Sequence, residues 1–307
     1  MNHVWVTGDA VVDLITESET TLIKCPGGAP ANVAVAIARL AGKSVFFGRV
    51  GADPFGDFMK ATLDKEGVCT QFLVKDPAQR TSTVVVGLDE KGERSFTFMV
   101  KPSADQFMSV EDIPNFKSGD WLHVCSISLA NEPSRGSTFE AMKRIKATGG
   151  FISFDPNLRN EVWRQPAEIQ SVTLKAIAMA DVVKFSEEEL LFLTNSTSIE
   201  QGLEVLDELN TTLVLVTQGA KGVLRVFESE GKLITGKVVN PVDTTGAGDA
   251  FVGGLLASLS QYADWQDTYI IDSAIRWANG CGALATTQKG AMTALPNQKE
   301  LFEFIQQ

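Results

Sequence analysis

Short apolar runs alternate along the chain with longer segments whose apolar residues recur at helical spacing. That alternation predicts βαβ units, an α/β fold and a largely parallel sheet. The expected strands cover residues 4–7, 44–50, 121–126, 151–155, 182–185 and 213–217. Several end in polar residues, Asp155, Lys184 and Thr217. In open α/β sheets the carboxyl ends of strands line the ligand crevice, although entry into an ordinary loop explains a polar strand end equally well.

Two segments depart from this pattern. Residues 81–100 hold two β-rich runs around the turn-like Asp89-Glu90-Lys91-Gly92, which reads as an antiparallel hairpin. Residues 14–25 also read as extended, with Thr20, Leu22 and Lys24 alternating against Thr21, Ile23 and Cys25. Together they are expected to form a small β-layer apart from the main sheet, either a lid over the crevice or an edge ornament.

Composition narrows the chemistry. The 307 residues, 44% hydrophobic and 21% charged, suffice to bury a substantial core. A formal net charge of -11 argues against nucleic-acid partners, which demand clustered Lys and Arg. No run approaches the ~18 apolar residues of a membrane span, and the N-terminal segment lacks the pattern of a signal peptide. Cys25, Cys69, Cys125 and Cys281 form no CxxC pair and read as reduced thiols, so a cytoplasmic location is expected. With only His3 and His123 present, Ser–His–Asp triads and His-rich metal centres are disfavoured. Chemistry must come from carboxylates, backbone amides and bound ions.

The strongest local signal is Asp243-Thr244-Thr245-Gly246-Ala247-Gly248-Asp249-Ala250-Phe251, a two-glycine turn opening an apolar helix. Unpaired N–H groups and the macrodipole make such a terminus attractive to anions. Asp249 is either a first-turn charge or a base set beside an anion-binding loop. A second loop, Gly27-Gly28-Ala29-Pro30-Ala31-Asn32, opens another apolar helix and is either a polar-ligand site or a simple Gly-Pro turn. Asp9 and Asp13, following the first strand, are placed to bind ligand hydroxyls or a metal, or to cap the next segment. Ala41-Gly42-Lys43-Ser44 imitates a P-loop, but Ile37 occupies the position of the first glycine and the segment runs from helix to strand. VTGDAVVD lacks GxGxxG, which disfavours dinucleotide binding.

These residues together resemble the ribokinase-like, or PfkB, carbohydrate kinase family over nearly the whole chain. The likeness rests on GGAPAN followed by Gly48, Gly51, Asp53 and Gly56, and on DTTGAGDAF about 215 residues later. The segments GDAVVDL, CPGGAPANVAVAIARL, FTFMVKPSAD and GAMTALP are most similar to bacterial fructokinases and to aminoimidazole riboside kinases. The resemblance implies one Rossmann-like three-layer α/β/α domain over residues 1–307, with a small β-sheet lid from about 14–26 and 81–104. It implies ATP-dependent phosphorylation of a sugar, fructose first, with Asp249 as base, assisted by Gly246, Ala247, Gly248 and Arg159. Asp9, Asp13, Gly27, Gly28, Asn32, Phe96 and Phe98 would hold the sugar. Lys184, Thr217, Gly219, Gly222 and Asn279 would lie along the nucleotide. Glu189 would organise Mg2+ through water, although Ser186 stands where the family often has Asn. Asp243, Thr245, Ala285 and Gly290 match a loop pair for a monovalent cation, with K+ expected. Small-molecule sugar and ATP are the expected partners, with no nucleic acid and no membrane, and a homodimer through the lid is the one protein contact the resemblance admits. A ribosyl or nucleoside kinase, and a catalytically silent sugar-binding regulator, are the competing readings.

Overall fold

Alternate residues of one buried strand serve two separate cores in the computed structural model, which describes residues 2–88, 94–209 and 211–306. From the N-terminus the elements are β1 (His3–Thr7), β2 (Val11–Thr16), β3 (Leu22–Gly27), α1 (Ala29–Arg39), β4 (Lys43–Gly51), α2 (Pro54–Lys65) and β5 (Cys69–Asp76). The hairpin strands β6 (Thr83–Leu88) and β7 (Arg94–Phe98) follow, then β8 (Trp121–Cys125), α3 (Ser134–Ala147), β9 (Phe151–Asp155) and α4 (Ile169–Ile177). The chain continues through β10 (Val182–Ser186), α5 (Glu187–Thr194), α6 (Ile199–Asp207), β11 (Leu213–Thr217), β12 (Val223–Phe227) and β13 (Glu230–Ile234). It ends with α7 (Ala247–Leu259), α8 (Thr268–Ala285) and α9 (Gln298–Gln306).

The nine-stranded sheet has the order β13-β12-β11-β10-β9-β8-β1-β4-β5. From β11 to β5 neighbouring strands are parallel, and β12 and β13 add an antiparallel edge. In β1, Val4 and Val6 join a core formed with α1, α7 and α8, whereas Trp5 joins the core on the opposite face with α3, α4 and α5. The result is three layers, as expected of the α/β class. Strand order reverses at β1, whose neighbours are β4 and β8, and ligands of open α/β sheets bind at that switch point, outside the carboxyl ends.

A second, four-stranded sheet runs β3-β2-β6-β7. Both extended segments read from the sequence contribute to it: β2 pairs antiparallel with β3, and β6 with β7. The expected turn at residues 89–92 lies outside the described residues. Local chemistry fixes several helix starts. Asp53 accepts from the N–H groups of Phe55 and Gly56 ahead of α2, with Pro54 at the first helical position. Gly28, at φ 97°, turns β3 directly into α1, and a Cβ there would lie 2.5 Å from the Asp9 carbonyl oxygen.

Helix α7 is held between α1 and α8 by glycines. A Cβ on Gly253 would sit 2.3 Å from the Ala36 Cβ, and one on Gly254 would sit 2.7 Å from Cys281 Sγ. One turn earlier on the same helices, Asn32 and Asp249 are hydrogen-bonded at 2.8 Å. The Ala36–Gly253 contact therefore sets the helix separation at which that bond forms. Gly253→Val is expected to push α1 and α7 apart, costing about 1–3 kcal/mol of stability and lowering kcat with it. Unchanged melting temperature and turnover would show that the spacing is not critical.

Candidate active site

A crevice of about 920 Å³ opens at the carboxyl edge of the main sheet, with Asp9, Asp13, Asn32, Arg159, Glu189 and Asp249 among its lining residues. Each arrives from a different part of the chain: Asp9 just after β1, Asp13 on β2, Asn32 on α1, Arg159 after β9, Glu189 on α5 and Asp249 on α7.

Asp249 lies in the first turn of α7. Gly246 caps that helix in the left-handed conformation, φ 78°, with its would-be Cβ 2.8 Å from the Ala291 Cα, so a side chain there would be both strained and obstructed. Burial raises the Asp249 pKa to about 6 against the restraining hydrogen bond from Asn32. Asp155 pushes it further up, while Lys184 and Arg159 draw it down. A base must be ionised to accept a proton, so kcat is expected to fall as pH drops through about 6. Asn32→Ala removes a bond that favours the carboxylate and should move this acid limb to higher pH. A kcat–pH profile checks both, and a limb that moves to lower pH in the variant would contradict the assignment.

Asp9 is buried, and its Oδ1 has no hydrogen-bond partner. Burial first, and then the nearby Asp105 charge, lift its pKa to about 8. Asn32 is equally buried: its Nδ2 donates to Asp249 Oδ2, while its Oδ1 is unpartnered. Buried acceptors without donors are costly unless a ligand supplies them. Asp13 packs against Gly27, where a Cβ would meet its Oδ2 at 2.3 Å. Phe98 lines the crevice beside Val84 and Ile127. The side chain of Phe96 lies outside the described residues.

The residues expected along the nucleotide divide into two groups. Thr217, Gly219, Gly222 and Asn279 gather around the ends of β11 to β13. There Thr217 Oγ1 donates to the Phe185 carbonyl, the Gln218 N–H to that of Gly222, and Asn279 Nδ2 to that of Ile234. Lys184 sits lower. Its Nζ donates to both Asp155 oxygens at 3.2 and 3.0 Å and would lie 3.3 Å from a Cβ on Gly248. It thus places a positive charge under the anion-attracting turn. Burial opposes that charge, but Asp155 and Glu189 outweigh it and push the Lys184 pKa up.

Ion handling has a fitting framework. Ser186 caps α5 reciprocally with Glu189, whose two oxygens accept from the N–H groups of Ser186 and Leu158. Ser186 thereby fixes the Glu189 carboxylate, and the remaining lone pairs suit contact with a divalent ion through water. Asp243 ties two loops together, its oxygens accepting from the N–H groups of Thr245 and Gly290 at 3.1 and 2.8 Å. The Thr286 carbonyl accepts from the N–H groups of Val242 and Asp243. Backbone oxygens of 243–245 and 285–290 thus share one neighbourhood, a donor set that suits a large monovalent cation. Among the described residues no cluster of three His, Cys, Asp or Glu could hold a metal alone.

Sequence reading gave no role to Asp105, Asp155, Asn157 or Asn131. Asp155 was visible as a polar strand end, but its partner emerges only once β9 and β10 pair. Asn157 Nδ2 lies 3.5 Å from Asp249 Oδ1, and its DPNLR context was the available signal. Asp105 closes the segment FTFMVKPSAD, which was the available signal, whereas Asn131 occupies an irregular segment without a motif.

The crevice thus holds a buried carboxylate at a helix N-terminus, beside the unpartnered oxygens of Asp9 and Asn32. The model of the pfkB family carbohydrate kinases matches residues 1–298. The fructokinase of Vibrio alginolyticus is 78% identical over 307 residues, covering 100% of both chains. The crystal structure of fructokinase from Vibrio cholerae O395 with fructose, ADP and calcium ion superposes with a TM-score of 0.96 at 63% identity, covering 99% of each chain. A double-mutant form of it was solved with fructose, ADP and potassium ion. The aminoimidazole riboside kinase of Salmonella enterica, solved with aminoimidazole riboside and an ATP analog, has a TM-score of 0.93 at 38% identity, covering 99% of this chain and 100% of that one. The chain belongs to the pfkB family of carbohydrate kinases. Among its described residues no helix is long and apolar enough to cross a membrane.

Proposed function

We propose that this protein is an ATP-dependent fructokinase, transferring the γ-phosphoryl group of ATP to a primary hydroxyl of fructose with Asp249 as base. The observation that carries the reading is the division of labour within Asn32: its Nδ2 holds the base at 2.8 Å while its buried Oδ1 lacks a donor. One side chain thus fixes Asp249 and offers an acceptor to a hydroxyl-rich substrate. The relatives that act on fructose supply the choice of sugar.

In the proposed reaction Asp9, Asp13, Gly27, Gly28 and Asn32 hold the sugar hydroxyls, and Phe96 and Phe98 cover its apolar face. As the sugar oxygen attacks the γ-phosphorus in line, its proton passes to an Asp249 oxygen. The bond to the β-phosphate oxygen breaks, ADP departs, and Asp249 releases the proton to solvent. The amides of Gly246, Ala247 and Gly248 and the Arg159 guanidinium receive the charge on the migrating oxygens. Thr217, Gly219, Gly222 and Asn279 flank the nucleotide, and Lys184, also expected along it, sets its charge beneath the turn that receives the phosphate. Glu189 would organise Mg2+ through water, and the ion would supply neutralisation of phosphate charge. Asp243, Thr245, Ala285 and Gly290 would hold K+. Action in the cytoplasm belongs to the same proposal, as does pairing of two copies through edge strand β3, which exposes Leu22 and Ile23.

A second cavity of about 260 Å³ shares Phe98, Ile127 and Glu161 with the crevice. It leaves room for a substituent on the sugar ring and keeps a riboside acceptor as the second reading. An ADP-release assay over fructose, ribose, other hexoses and aminoimidazole riboside decides. Fructose should give the highest kcat/KM. Turnover of the riboside alone would replace the first reading with the second, and sugar binding without any ADP release would mark a silent regulator.

A further inference from the structure

Arg159 is exposed, and the hydrogen bond formed by its own side chain runs from Nη1 to the neighbouring Leu158 carbonyl. Its placement must therefore come from the backbone that carries it. On one side, the Leu158 N–H donates to Glu189 Oε1 at 3.1 Å. On the other, the short turn Asn160–Val162 closes back onto the Arg159 carbonyl through the Val162 N–H. The far end of that turn is gripped by one side chain, Asn131. Its Nδ2 donates to the Val162 carbonyl at 2.9 Å, and its Oδ1 accepts from the Arg164 N–H at 3.2 Å.

Asn131 is buried and has a third bond, from Nδ2 to Gln106 Oε1 at 3.1 Å. Gln106 in turn donates to Asp105 Oδ2 and to the Ile127 carbonyl. Asp105, also buried, accepts from Ser103 Oγ and acts electrostatically on Asp9. A continuous hydrogen-bonded line thus leads from Asp105, the neighbour of the expected sugar ligand Asp9, to the segment bearing Arg159. An amide is the side chain suited to the junction, because it alone presents two donors and an acceptor in one plane without charge. Buried networks of this kind hold their members rigid when every bond is made.

We propose that Asn131 is a positioning residue for phosphoryl transfer: it fixes the 159–164 segment against the buried Asp105–Gln106 pair and so sets where Arg159 stands. The inference rests on the kinase reading above. Asn131 touches no reacting atom and acts through Arg159.

The test is a double-mutant cycle on the full-length enzyme with Asn131→Ala, Arg159→Ala and the pair, reading kcat, sugar dissociation constant and backbone hydrogen exchange. Asn131→Ala is expected to lower kcat roughly tenfold, as misplacement by a fraction of an ångström does, with fructose affinity changed less than about threefold. In the Arg159→Ala background it should cause no further loss of kcat. Asn131→Asp, which keeps the shape and the acceptor but loses both donors, should behave like Asn131→Ala and stands in if that variant folds poorly. Exchange at residues 158–164 should quicken while residues 151–155 stay protected, a readout that needs no turnover. If the parent enzyme phosphorylated another sugar instead, the fructokinase assignment would fall while the cycle ran on that sugar. Multiplicative losses in the cycle, a selective rise in the sugar dissociation constant, or unchanged exchange at 158–164 would overturn the proposal.

Discussion

Replacing Asp249 with alanine is expected to lower kcat by ~10²-fold or more, the loss typical of a missing general base combined with a misplaced nucleophile. The fold should survive, and the sign of the pKa shift says why. A carboxyl whose pKa rises on folding, here from 3.8 to about 6, binds its proton more tightly in the folded chain. Its contribution to stability becomes unfavourable as pH rises from 3.8 through about 6 and remains so above. Asp249→Asn, which keeps an acceptor for Asn32, should therefore melt higher than the parent, by a margin larger at pH 8 than at pH 5. Calorimetry and single-turnover kinetics on the two variants check both halves. Near-native turnover by Asp249→Ala would remove the residue from the chemistry.

The second large effect is expected beneath the site. Asp155 and Lys184 are almost completely buried and paired at 3.0 Å. Asp155→Ala leaves the Lys184 ammonium without its partner, and breaking a buried pair by removing one member costs about 3–5 kcal/mol. Removing both charges in Asp155→Ala/Lys184→Met should restore most of that stability without restoring activity. Denaturant titration of the parent, single and double variants measures the difference. A single variant within about 1 kcal/mol of the parent would show that water reaches Lys184 and that the pair contributes little.

How much of this was legible depended on what each segment must bury. Strands β1, β4, β8, β9, β10 and β11 are covered on both faces, so they read as short, mainly apolar runs with nearly correct limits. Strand β5 went unread because it is an edge, and CTQFLVKD exposes Cys69, Gln71, Val74 and Lys75 without a regular period. The β12–β13 hairpin was obscured by Arg225 in the middle of one strand and by Glu230-Gly231-Lys232 at the start of the other. The glycine loops were legible because a backbone that must approach a ligand or adopt positive φ leaves few residue choices. What joins them was not: Asn32 and Asp249 stand 217 positions apart, and only the packing of α1 on α7 brings them together. The Asp105–Asn131 line was hidden more deeply, since hydrogen bonds between irregular segments leave no periodicity to read.

His123 is wholly buried in β8, its ring near Ser153 and Cys125, and burial, aided by Lys184, holds its pKa near 3.

At Gly253 and Gly254, α7 meets α1 and α8 through backbone alone, without a side chain between. Contacts of this kind have no rotamers to exchange when a neighbour changes, so the spacing behind the base is set by the backbone. Adjustment to a differently shaped acceptor is expected across the gap instead, where Val84, Phe98, Ile127 and Glu161 line the crevice with side chains.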